Sequence, residues 1–347
     1  MLHFMKRLFL ILALPLFLFG NLELAQSQTP LSSAKVDSIQ LEDTDLKSAL
    51  EFLSAKAAEL NASPSNFVIY DPLGQLAAAN PKITLSLRDT PLSTVVKYAC
   101  ELSKTSYLID SHVVLIGQKT DLAGLQNLRR ARPTPPANHP ILKSLQTIRV
   151  PSLSFDDTPL SETLEFLRQV SSGSSTASAP LNLVIRPGAG AGNDPGTRKI
   201  TLNLNNVSLM TALQYVTELG GCAMRFDQRA IVVASPGNIQ SPKPVMQAKN
   251  PHFDVVLRSR IENTEIEDAS ISEVLEVISY YCKDPKIAPD GPNFILLTRS
   301  EQSVSLALSN IRGIDLLRYF NEQTGTNFRV EADAIVIFDR PTPKKKK

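Results

Sequence analysis

The chain has 347 residues, of which 43% are hydrophobic and 20% charged, with no Trp. This is the composition of a globular protein and excludes a disordered chain, and the length suffices for two or three ordinary domains. A net charge of +2 gives no electrostatic reason to expect a nucleic-acid partner.

Residues 1–28 read as a signal peptide. Lys6 and Arg7 precede an apolar run from Leu8 to Phe19, polar residues follow, and Ala25 is a suitable cleavage position. That is the charged, apolar, polar order of secretory signals. The run is short for a membrane span, and an uncleaved anchor is the alternative reading. No Cys follows it, which argues against a lipid anchor, and no later segment reads as a span. The mature product is expected to be a soluble exported protein.

The next elements alternate between strand and helix patterns. "IQLEDTDLKSALEFL" at 39–53 enters a helix in which Leu46, Ala49, Leu50 and Leu53 share one face. "NFVI" at 66–69 is a short buried strand. "KITLSLRDTPLSTVVKYA" at 82–99 alternates and then turns helical over Leu92, Val95, Val96 and Ala99. "YLIDSHVVLI" at 107–116 is a hairpin turning at Asp110-Ser111-His112. Residues 119–146, with "RRARPTPPANHP" and Arg129, Arg130 and Arg132, read as an extended, solvated basic linker.

The pattern then returns: "LSFDDTPLSETLEFL" at 153–167, "NLVI" at 182–185, "KITLNLNNVSLMTALQYV" at 199–216 and "MRFDQRAIVV" at 224–233. The Gly-rich stretch 187–197 lacks the spacing of a phosphate loop and reads as a flexible insertion. A Pro-rich linker spans 237–257. A third set follows: "TEIEDASISEVLEVI" at 264–278, "NFIL" at 293–296, "VSLALSNIRGIDLLRYF" at 304–320 and "FRVEADAIVI" at 328–337. Residues 341–347 form a basic tail, expected to be solvated.

The three sets superpose without gaps over their second strand and helix, at an offset of 117 and then 104. Ile83, Ile200 and Val304 coincide, as do Tyr98, Tyr215 and Tyr319. The expected architecture is α+β: three small domains at 36–118, 147–236 and 258–340. Each runs strand, helix, strand, strand, helix, strand, strand. Thr90-Pro91 and Thr158-Pro159 suggest a capping Thr followed by Pro at the first helical position. Ser270 and Glu273 have capping-box spacing.

The residues with chemical potential have plain structural readings. The acidic pairs Glu42-Asp43, Asp156-Asp157 and Glu267-Asp268 are expected to face helix N-termini. Asn66, Asn182 and Asn293, each before a strand, are expected to bond local backbone. The three tyrosines read as half-buried packing residues with a wet hydroxyl. Cys100, Cys222 and Cys282 are an odd set, suited to packing as small apolar residues. Cys100 with His112 would make a nucleophile and base, but the later sets carry Thr217 and Asn321, and Arg229 and Asp333, at those positions. His139 and His252 stand alone in the linkers. No catalytic residue, metal ligand or cofactor is therefore expected.

The run "F.DTPL.ETLEFL … NLVI … KITLNLNNVSLMTALQYV … MRFDQRAIVV" resembles the short N-terminal domain shared by secretins and TonB-dependent receptors. Residues 149–235 match best. The third set departs in having Gly313 at the position of Leu209 and Ser305 at that of Thr201. The resemblance implies two helices held between two small sheets, a bacterial envelope setting and protein–protein contacts. The sequence shows no secretin channel or receptor barrel up to Lys347, so the chain is not expected to form the outer-membrane pore itself. The expectation is a non-enzymatic periplasmic scaffold with envelope proteins as partners, secretin-like or outer-membrane components among them. An envelope binder of small ligands or glycans, with a pocket between units near 187–197, is the alternative.

Overall fold

The computed structural model describes residues 28–131, 139–174, 180–188, 194–240, 245–246, 249–298, 300–332 and 334–340. The expected signal segment up to residue 27 and the basic tail lie outside them. The fold is mixed α+β.

The first segment holds β1 (Thr29–Pro30), β2 (Lys35–Asp45), α1 (Leu46–Glu59), β3 (Ala62–Ser63), β4 (Asn66–Tyr70), α2 (Gln75–Ala79), β5 (Lys82–Pro91), α3 (Leu92–Leu102), β6 (Ser106–Ile109) and β7 (Val113–Gly117). Then come α4 (Lys119–Ala131) and α5 (Leu142–Thr147). The second segment holds β8 (Arg149–Pro159), α6 (Leu160–Ser172), β9 (Leu183–Arg186), β10 (Lys199–Ser208), α7 (Leu209–Leu219), β11 (Ala223–Asp227) and β12 (Ala230–Ala234). After β13 (Val245–Met246) and α8 (Pro251–Arg258), the third holds β14 (Arg260–Ala269), α9 (Ile271–Tyr281), β15 (Phe294–Leu297), β16 (Val304–Arg312), α10 (Gly313–Gln323), β17 (Thr326–Val330) and β18 (Ile335–Asp339).

The pairings are alike in each segment. The two long strands form an antiparallel pair: β2 with β5, β8 with β10, β14 with β16. The short strands form a sheet in which β7, β12 or β18 runs parallel to β4, β9 or β15 and antiparallel to β6, β11 or β17. Helix faces follow the apolar spacing read from sequence. Leu46, Ala49, Leu50 and Leu53 are buried on α1, and Ile271, Val274, Leu275 and Ile278 on α9.

Helix starts agree in part. The box of Ser270 and Glu273 is formed on both sides. Pro91 and Pro159 stand one position earlier than expected, as the non-helical residues flanking α3 and α6, with no side-chain cap. The Thr90 and Thr158 hydroxyls turn back to the carbonyls of Arg88 and Asp156. Gly313 has a packing reason: a Cβ there would lie 2.6 Å from the Cys282 Sγ and 2.8 Å from the Val256 carbonyl. The third segment has filled that space from other elements.

The cores do not stay within segments. One cluster surrounds α1 and α3 and includes Ile39, Leu53, Leu92 and Val95. A second joins Leu164, Leu209 and Leu213 of the second segment to Val68, Tyr70, Val113 and Leu115 of the first. A third joins Ile278, Leu317 and Phe320 of the third segment to Val184, Ala230 and Val232 of the second. The short-stranded sheets of the first two segments thus have their second face closed by the segment that follows.

The linkers differ from the extended tethers expected. Residues 119–131 are helical and bury Leu122 and Leu125 in the second cluster. Helix α8, which begins inside 237–257 and ends at Arg258, is capped by the Asn250 side chain and buries Phe253, Val255 and Val256. Proline and charge dominated the composition, but three or four apolar residues at helical spacing suffice to dock a short helix. Residues 132–138 of the first linker, including Arg132, are outside the described residues.

Candidate functional site

The groups that recur along the sequence gather at the two places where one segment closes on the next. Asn66 is buried at the start of β4, on the edge that meets β10. Its Oδ1 accepts from the backbone N–H of Asn205 at 2.8 Å, and its Nδ2 donates to the Asn205 carbonyl at 3.3 Å and to that of His112 at 3.1 Å. Asn182 does the same at the start of β9. Its Oδ1 accepts from the N–H of Ser309 at 2.8 Å, and its Nδ2 donates to the carbonyls of Ser309 (2.8 Å) and Arg229 (2.7 Å). A side-chain amide has the donor and acceptor of a peptide group, so each Asn extends a rung of backbone pairing from one segment to the next. Asn293 stands at the corresponding register position before β15.

A charged cluster lies beside each clamp. At the first junction the Arg129 Nη1 is 3.0 Å from Asp110 and its Nη2 2.7 Å from Glu218. The Tyr215 hydroxyl donates to Asp110 at 2.8 Å, and the guanidinium lies 5.8 Å from the Tyr215 ring centroid. At the second junction Arg225 pairs with Asp227 at 2.7 Å and with Glu322 at 2.7 Å. Tyr319 is buried there as Tyr215 is at the first junction. Arg229 adds a hydrogen bond to the Asn310 carbonyl at 2.6 Å.

Burial opposes the charge of Arg129, but the hydrogen bonds and charge of Glu218 outweigh it and hold the guanidinium protonated. The same balance, with Asp227 and Glu322, applies to Arg225. Burial would raise Asp110; the Tyr215 hydroxyl and Arg129 overcome it and hold the carboxyl below its usual range. Burial, then the charge of Asp110, pushes the Tyr215 phenol up. These groups are arranged to stay in fixed protonation states near neutral pH, which suits an interface more than proton transfer.

The acidic pairs expected at helix N-termini have another role. Asp43, Asp157 and Asp268 adopt left-handed backbone at φ 45°, 48° and 48°, where the long strands shift register. Asp tolerates this conformation better than most side chains. The N–H of each is held at 3.0 Å by a hydroxyl of the facing strand, that of Thr84, Thr201 or Ser305. The pairs therefore belong to β-bulges. Asp89, Asn206 and Asn310 take a second left-handed position on the partner strand.

Other sequence candidates separate. All three cysteines are free and buried, and burial pushes the thiols of Cys222 and Cys282 up to about 11. Cys100 lies in the first core while His112 is exposed at the β6–β7 turn, and no hydrogen bond joins them among the described residues. His139 is buried, with its Nε2 2.6 Å from the Asp227 carbonyl. Among the described residues no three His, Cys, Asp or Glu side chains gather as metal ligands, and no helix is long and apolar enough to cross a membrane.

Two surface grooves flank the junctions in matching places. One, of about 730 Å³, lies between α1 and the β8–β10 pair, and Lys47 reaches across it to Asp156 at 2.9 Å. The other, of about 700 Å³, lies between α6 and the β14–β16 pair, with Pro187, Asp194 and Gly196 on its rim.

Sequence reasoning had Asn66 and Asn182 before their strands bonding local backbone, and the tyrosine hydroxyls in water. The recurrence of Tyr and Glu at the same two offsets (Glu101, Glu218 and Glu322 coincide as the tyrosines do), with an Asn before the short strand each time, was the signal that could have marked a shared surface. No family model matches the chain, nor does a curated protein or a solved structure.

Proposed function

We propose that this chain is a non-enzymatic scaffold of the bacterial periplasm, built of three tandem domains and binding other envelope proteins. One observation carries the reading. The polar residues that recur from segment to segment are used in packing one segment of the chain on the next, Asn66 and Asn182 on neighbouring backbone and Tyr215, Glu218 and Glu322 in the junction clusters. A surface that already joins one segment to the next is a surface suited to joining chains. The signal-like N-terminus and the resemblance to secretin and receptor N-terminal domains support the periplasmic setting. They also support partners from a secretion, pilus or outer-membrane transport system. Gentle crosslinking followed by affinity capture from envelope extracts tests this. Recovery of a defined envelope protein is expected, and capture of none would overturn the proposal.

A second reading rests on the matching grooves, whose walls mix apolar and charged groups at a volume suited to a small ligand. In it the chain binds envelope glycans or other small molecules. Thermal shift against wall fragments and siderophores tests it, and uniform absence of shifts overturns it.

A further inference from the structure

The two closed junctions define what a donor face and a receiving face look like, and one of each is left open. In the closed junctions the receiving tyrosines are covered, Tyr215 to 2% exposure and Tyr319 to 3%; their counterpart Tyr98 on α3 is 42% exposed. Leu102, one turn on, is exposed with it, and Glu101 between them occupies the position of Glu218 and Glu322. The donor side is open in the third segment. Val68 and Val184 face the following segment at 3% and 0% exposure, whereas their counterpart Ile295 is 44% exposed and Leu297 is exposed beside it.

The charges at the open ends complement each other. Arg329 is the counterpart of Arg225 and holds Glu331 at 2.7 Å as Arg225 holds Asp227 at 2.7 Å. In the closed junction the Arg225 Nη2, which also donates to Asp227, reaches Glu322 of the next segment at 2.7 Å. The residue that would play this part for Arg329 is Glu101, which among the described residues pairs with Lys97 at 3.8 Å on an exposed helix face. The Tyr98 hydroxyl would meet Glu331 as that of Tyr215 meets Asp110. Apolar contact, an acid for the arginine and a phenol for the carboxylate are thus divided between opposite ends of one chain.

We infer that the open β15–β18 face of one chain docks on the α3 face of a second copy, repeating the internal junction head to tail. Because the two surfaces differ, the contact is heterologous, and each added copy presents a fresh donor face; the product is a closed ring or an open filament. The inference deepens the scaffold reading by naming the partner of these two faces as the chain itself.

The test is the mass of the purified mature chain in solution, by light scattering or sedimentation over rising concentration. Wild type is expected to grow in mass with concentration. Arg329→Glu and Glu101→Arg are each expected to remain monomeric, and an equimolar mixture of the two, in which every contact again joins opposite charges, is expected to regain assembly. Restoration on mixing excludes misfolding of either variant. A wild type that stays monomeric overturns the inference, as does assembly untouched by both variants or a mixture that stays monomeric. Capture of another envelope protein by a monomeric wild type would remove self-assembly and leave the scaffold reading standing.

Discussion

At the first junction the guanidinium that meets Asp110 and Glu218 comes from α4, a helix outside the strand pattern; at the second, the one that meets Asp227 and Glu322 stands on β11 within it. The first segment has Leu108 where the second has Arg225 and the third Arg329. The acids keep their positions and the cation does not. What the fold retains is a positive charge at one point in space, between a carboxylate on the donor hairpin and a glutamate on the receiving helix. Either a strand or a docked helix can deliver it.

If that is so, removing either arginine should have the same consequence. Arg225→Ala removes a cation from the buried Glu322, and Arg129→Ala removes one from the buried Glu218. Each is expected to cost about 3–5 kcal/mol, the loss seen when one partner of a buried ion pair is removed. Denaturant unfolding of both variants measures it. A large loss for Arg225→Ala with a small one for Arg129→Ala would break the equivalence and reduce Arg129 to a residue that merely rides on α4.

The tyrosines sharpen the comparison through pH. Tyr215→Phe removes the hydroxyl bond to Asp110 and is expected to cost about 1.5–3 kcal/mol, as for a hydrogen bond to a charged group. Asp110 has a lowered folded pKa, so its stabilisation is complete above the ordinary carboxylate range and is lost as pH falls through the folded value. The Phe variant should therefore lose less stability on acidification than wild type. Equal acid sensitivity in the two proteins would mean that the Tyr215 hydroxyl does not set the Asp110 titration.

The clamps predict a different asymmetry. Asn66→Ala and Asn182→Ala should each cost about 1–3 kcal/mol, because each leaves backbone groups of the neighbouring strand unpaired. Asn205→Ala should stay within about 0.5 kcal/mol, since only its backbone is used and its side chain is exposed. A costly Asn205→Ala, measured by the same unfolding curves, would show that the contact depends on the receiving side chain after all.

That asymmetry explains what the sequence could and could not convey. Helix faces were legible because burial on one side forces 3.6-residue spacing, as in Leu46, Ala49, Leu50 and Leu53. The long strands were legible from alternation, as in Ile200, Leu202 and Leu204. The junctions were not, because the receiving partners are main-chain groups: Asn205 and Ser309 serve alike, so no side-chain signature is needed. Arg129 was hidden for another reason. Its segment has the composition of a tether, and only Leu122 and Leu125, buried against the sheet, convert it to a docked helix. The charged pairs misled because proximity in sequence to a helix start suggested a dipole role, whereas a left-handed φ and a facing hydroxyl define a bulge.

The bulges give the smallest and most specific prediction. Thr201 and Ser305 hold the N–H of Asp157 and Asp268 at the same 3.0 Å, and the exchange of Thr for Ser preserves the one atom that matters. Thr201→Val keeps the shape and β-branching and removes only the hydroxyl, so it should cost about 0.5–1.5 kcal/mol, the net worth of one hydrogen bond. Ser305→Ala should cost a similar amount, while Ser305→Thr should leave stability unchanged or slightly improved by strand propensity. If Thr201→Val is neutral in thermal unfolding, strand propensity and not the hydroxyl explains the residue there. The bulge would then be held by the left-handed aspartate alone.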